Sequence, residues 1–113
     1  MAAYSRIDRI SEEVKRELSI VVQELKDPRL SVCMVSVITV QVTKDLRFAK
    51  AYISVLGDEK MQKDAIDALK SAAGFIRKEI GHRINLRITP EFSFVLDNSI
   101  EYGAHINEVL KNL

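Results

Sequence analysis

Lys70-Ser71-Ala72-Ala73-Gly74-Phe75-Ile76-Arg77-Lys78 interrupts the longest helical pattern in the chain. Around it, Met61, Ala65, Leu69, Ala72, Ile76 and Ile80 recur every three or four residues, which predicts a helix over 59–81. A glycine inside a helix costs about 1 kcal/mol relative to alanine. Gly74 is therefore there either for close packing, letting another element approach, or for a kink that exposes backbone N–H groups. The residues alone favour packing. In the kinked alternative Phe75–Arg77 open a new helix, whose unpaired N–H groups and dipole suit a phosphate.

Outward from this stretch the chain reads as a small α+β domain. Ile7, Ile10, Val14, Leu18, Val21 and Leu25 line one face of a helix over 5–26, capped by Ser5 with Asp8 three residues on and ended by Pro28. A strand follows over 31–43, its first half apolar on both faces and expected to be covered on both. Lys44-Asp45 turns the chain into a second strand over 47–56, so the two form an antiparallel hairpin. Beyond the interrupted helix, Gly81 is expected to cap, and alternation from Ile84 to Leu96 predicts a third strand broken or edged by Pro90. Asn98 or Ser99 would cap a last helix carrying Tyr102, Ile106, Val109 and Leu113. The expectation is one domain over 1–113, with a three-stranded sheet and helices on one face.

Composition removes several functions. The chain has 113 residues, 47% apolar and 29% charged, a globular balance. No apolar run approaches the ~18 residues of a membrane span. Charges at Arg6, Asp8, Arg9, Glu12 and Glu13 leave no room for a secretory signal, and a single Cys33 fits a reducing cytoplasm. There is no Walker-type loop, GxGxxG, GxSxG or HExxH. His82, His105 and Cys33 are scattered over different elements, so neither metal, cofactor nor catalytic role is expected. Cys33 reads as a small core hydrophobe, and Phe92 and Phe94 as core.

Charge distribution says more than the net value of +1. Residues 1–59 hold nine basic and nine acidic side chains; residues 60–87 hold seven and three; residues 88–113 hold one and four. The basic excess thus surrounds the helix break. Lys70, Arg77, Lys78, Arg83 and Arg87 are the candidate phosphate contacts, with Ser71, Ala72, Ala73 and Gly74 allowing close backbone approach. Lys26, Arg29, Arg47 and Lys50 are second-rank candidates. Scarce exposed aromatics argue for backbone or structured-RNA recognition over a stacking reader.

The chain resembles the bacterial ribosome-binding factor A family along its whole length. The resemblance rests on Arg6-x-x-Arg9-Ile10, Lys26-Asp27-Pro28-Arg29-Leu30, Thr43-Lys44-Asp45-Leu46 and Ala49-Lys50-Ala51-Tyr52-Ile53-Ser54. It continues through Ala72-Ala73-Gly74-Phe75-Ile76-Arg77, Leu86-Arg87-Ile88-Thr89-Pro90-Glu91-Phe92 and Phe94-Val95-Leu96-Asp97. It implies a type II KH-like fold in which Ala72-Ala73-Gly74 is the kink that replaces a GxxG loop, reversing the preference for packing at Gly74. It also implies a non-enzymatic, monomeric, cytoplasmic assembly factor. Such a factor binds the free 30S subunit during late maturation, supports processing of the 16S rRNA 5′ end, and is associated with growth in the cold. It leaves before translation, assisted in some bacteria by a GTPase. Some members carry a longer basic C-terminal tail; a chain ending at Leu113 in an acidic segment is expected to lack that RNA contact. The alternative from another class is a protein–protein adaptor or homodimer without RNA binding.

Overall fold

The computed structural model describes residues 5–97. Helix α1 spans Arg6–Glu24, and the short α2 spans Pro28–Ser31. Strands β1 (Met34–Val42) and β2 (Phe48–Leu56) follow, then α3 (Glu59–Ser71), α4 (Ala73–Arg83) and β3 (Glu91–Leu96). This is the α+β order expected of the sequence, with α2 added. The final helix expected beyond Asn98 lies outside the described residues.

α1 begins with the capping box that its sequence offers. The Asp8 N–H donates to Ser5 Oγ and the Ser5 N–H donates back to Asp8 Oδ2, each at 3.1 Å. Its apolar stripe buries Ile10, Val14, Leu18, Val21 and Val22. α1 ends earlier than the stop expected at Pro28: Leu25 is already extended (φ −66°, ψ 131°) as C-cap, and Pro28 instead supplies the first position of α2, with Asp27 extended (φ −110°, ψ 124°) as N-cap. α2, only one turn long, has too few residues to show a period in the sequence.

The sheet order is β1-β2-β3, antiparallel between β1 and β2 and parallel between β2 and β3. Ala49, Ala51, Ile53 and Val55 point to the helices, joined by Phe92 and Phe94 of β3. The two phenylalanines stack at 6.4 Å between ring centroids, in the core as expected. A bulge at Ile38 changes which residues of β1 face inward. Val35 and Val37 pair with Val55 and Ile53, whereas Val40 and Val42 pair with Ala51 and Ala49.

Four further expectations need correction. Residues 32–37 are not covered on both faces: Val32 and Met34 are 64% and 67% exposed, and only the Val35 and Val37 side of the run packs inward. The third strand starts at Glu91, not Ile84. Pro90 has no N–H to give the ladder, and residues 84–90 form a link buried at Ile84 and Pro90. Gly81 does not cap: α4 continues to Arg83, with Ile84 as C-cap. A Cβ at Gly81 would stand 3.0 Å from Thr89 Oγ1, so this glycine lets the helix approach the link. Cys33 is half-buried at the core margin, not in the core.

Candidate nucleic-acid interface

The helix break falls at Ala72, two residues before the glycine. Ala72 adopts φ −91° and ψ 4°, ending α3 and starting α4. Two local causes act. Ser71 Oγ donates back to the Asp67 carbonyl at 2.9 Å, a bond that bends helices. The Ala72 N–H is shared between the carbonyls of Ala68 (3.0 Å) and Leu69 (3.1 Å), tightening the last turn of α3. Leu69 and Ile76, both fully buried, anchor the chain on either side.

The first turn of α4 is accordingly Ala73–Phe75, earlier than the Phe75–Arg77 turn expected from a break at Gly74. Ala72 offers no side-chain acceptor, and no side chain caps this turn. Its leading N–H groups have no partner within α4. Gly74 is exposed, and a Cβ built there would meet no heavy atom within 4 Å. Close packing inside the protein is therefore not the reason for Gly74. Its φ is not positive either, so no backbone conformation demands a glycine.

Lys70 and Ser71 precede this turn in the chain and Arg77 and Lys78 follow it, all exposed, with Ala72 and Ala73 half-buried. None of the three cations has an ion-pair partner among the described residues. Arg77 Nε donates to the Thr89 carbonyl at 3.2 Å, which ties it to the α4–β3 link. Phe75, 52% exposed, adds an aromatic face beside Gly74. Sequence reasoning missed it, although its place outside the Ile76–Ile80 stripe was the available signal.

The other expected contacts are dispersed. Arg83, at the far end of α4, donates to Glu17 Oε2 (3.3 Å) and Glu24 Oε2 (3.0 Å) of α1, and Glu79 lies at 3.9 Å. Arg87, on the α4–β3 link, lines a cavity against the start of α1. Arg29 is paired with Asp27 at 2.8 Å; that hydrogen bond holds the Asp27 carboxyl below its usual range and the Arg29 guanidinium above its own. Arg47 stands 3.9 Å from Asp45, whose pKa is lowered chiefly by the Thr43 hydroxyl. Lys26 is exposed after α1, and Lys50 lies exposed on β2 opposite Gln41 and Ser93. Burial pushes the Cys33 thiol up, away from nucleophilic use. Among the described residues no cluster of His, Cys, Asp or Glu could hold a metal, and no helix is long and apolar enough to cross a membrane.

The family model for ribosome-binding factor A matches residues 6–110. A ribosome-binding factor A from Acetivibrio thermocellus is 59% identical over 106 residues, covering 93% of this chain and 85% of that protein. The crystal structure of ribosome-binding factor A from Thermus thermophilus superposes with a TM-score of 0.72 at 25% identity, covering 81% of this chain and 97% of that one. A Thermus thermophilus homology model fitted into the cryo-EM map of a 30S–RbfA complex gives 0.63 at 26% identity, covering 75% and 88%. The chain belongs to the ribosome-binding factor A family.

Proposed function

We propose that this protein is an RNA-binding assembly factor that docks on the free 30S ribosomal subunit through the α3–α4 break. The carrying observation is the open space over Gly74 at the uncapped start of α4. A phosphate seated there meets backbone N–H groups directly, with the Ser71 hydroxyl and the half-buried Ala72 and Ala73 leaving the approach clear. Lys70, Arg77 and Lys78 supply charge around it. Phe75 offers a stacking face for a neighbouring base. Arg83 serves this surface indirectly, fixing the direction of α4 against α1. Lys26, Arg47 and Lys50 are secondary contacts, and Arg29 reaches RNA only by sharing its pair with Asp27.

Family membership and the 30S complex of the Thermus relative support the partner. The same reading makes the protein a cytoplasmic monomer without catalytic chemistry or cofactor. It acts on late-maturing 16S rRNA, aids processing of the 5′ end, supports growth in the cold, and leaves before translation with help from a ribosome-associated GTPase.

Co-sedimentation with free 30S subunits across a salt series tests the interface. The wild type binds less tightly as salt rises. Lys70→Gln with Lys78→Gln lowers the slope of log affinity against log salt by about 1.4 if both touch single-stranded phosphates. An unchanged slope moves the interface elsewhere. A protein that forms a dimer and ignores 30S subunits at every salt concentration is an adaptor instead. In cells depleted of the protein, 16S precursor with an unprocessed 5′ end accumulates most at low temperature; its absence removes the processing role.

A further inference from the structure

The hairpin residue Leu46 is the one described non-glycine with positive φ, at 64°. Such a conformation is disfavoured for any residue with a side chain. It persists here with the Leu46 side chain buried and its N–H donated to the Thr43 carbonyl at 2.9 Å. The strained turn forms one wall of a cavity of about 810 Å³. The other walls come from the first two turns of α1 and from the α4–β3 link.

This cavity has an apolar floor and a cationic rim. Ile7, Ile10, Val42 and Leu46 make the floor. Arg6, Lys44 and Arg87 stand at the rim, exposed and without an ion pair among the described residues. The one acidic lining residue, Asp8, is engaged by the Ser5 N–H in the capping box. Three separate parts of the sequence thus bring cations to one hollow that the α3–α4 break does not use.

We propose that this cavity is a second nucleotide site, taking one base and ribose of single-stranded RNA against the floor. Arg6, Lys44 and Arg87 hold the flanking phosphates. Charge complementarity selects an anionic ligand, and the apolar floor selects a nucleotide over a bare anion. The site deepens the RNA-binding reading and rests on it. RNA would be gripped at two points, the start of α4 and this cavity, with Arg87 on the link that α4 leads into.

NMR titration of the full chain with 5′-AMP, inorganic phosphate and a single-stranded octanucleotide RNA tests this. The nucleotide is expected to shift Ile10, Val42 and Leu46 saturably, while inorganic phosphate leaves the Ile7 and Leu46 methyls unmoved. Ile7→Glu, at a half-buried position, sets a carboxylate against the incoming nucleotide and should weaken octanucleotide binding several-fold with the circular dichroism spectrum unchanged. Lys44→Gln, at an exposed position, should weaken it with the fold intact. The inference is overturned if the nucleotide and octanucleotide shift only residues 70–78, or if both variants bind like wild type. If the octanucleotide shifts the cavity and leaves 70–78 unmoved, the α3–α4 interface fails and the cavity stands.

Discussion

Replacing Gly74 by alanine should make the domain more stable and its binding weaker. The added Cβ meets nothing within 4 Å, so there is no steric cost inside the protein. The backbone is not in the left-handed region, so there is no conformational cost either. What remains is the helix preference of alanine over glycine and the smaller entropy of the unfolded chain, together about 0.5–1 kcal/mol. For a domain of this length that raises Tm by roughly 2–6 °C. A ligand pressed against the backbone at Gly74 would meet the new methyl group. Losing one or more hydrogen bonds to phosphate costs about 1.5–3 kcal/mol each, or roughly ten- to a hundredfold in affinity. Thermal unfolding followed by circular dichroism gives the first quantity, and co-sedimentation with 30S subunits the second. A lower Tm would show that the open space over Gly74 is occupied by the protein itself. A higher Tm with unchanged binding would show that RNA does not approach there.

Gly81 gives the opposite result on the same helix. Gly81→Ala pushes Thr89, whose Oγ1 would stand 3.0 Å from the new Cβ, so its Tm should equal or fall below wild type despite the helix preference. Arg83→Met removes the clamp to Glu17 and Glu24 and should cost about 0.5–1 kcal/mol, a loss that shrinks in high salt. Chemical denaturation at two ionic strengths checks it. Asp27 has its folded pKa lowered by Arg29, so its contribution is present above the ordinary carboxylate value of 3.8 and is lost as pH falls through the folded value. The midpoint of Asp27→Asn should therefore depend less on pH below about 4 than that of the wild type.

Local patterns carried much of this fold in the sequence. The spacing from Ile7 to Leu25 placed α1, and Ser5 with Asp8 predicted a box that forms. Non-local geometry was not legible. The bulge at Ile38 moves the inward face from Val35 and Val37 to Val40 and Val42, a change of parity that no local alternation announces. The parallel pairing of β3 depends on how α3 and α4 return the chain, and Gly81 on where Thr89 comes to rest. The site divides the same way. Lys70 through Lys78 are adjacent in the chain, so sequence proximity placed them together. Arg83 and Arg87 are only five and nine residues beyond Lys78. The end of α4 turns the first toward α1, and the link carries the second to the hairpin.

A net charge of +1 is consistent with RNA binding because the structure decides which charges are already paired. Glu17, Glu24 and Glu79 converge on Arg83, Asp27 is committed to Arg29, and Asp45 stands beside Arg47. The two aspartate–arginine pairs are close to neutral at a distance, and the three glutamates around Arg83 leave a net −2 there, so none of these groups adds to attraction. Lys70, Arg77 and Lys78 keep their full charge at one opening, and Arg6, Lys44 and Arg87 keep theirs at another. Counterion release counts only cations that reach phosphate, so on the proposed reading the salt dependence follows the cations at the two openings, with a smaller part from Lys26, Arg47 and Lys50, and not the formal sum. If RNA docks as proposed, acidic side chains elsewhere limit non-specific attraction and binding depends on fitting RNA to the two openings.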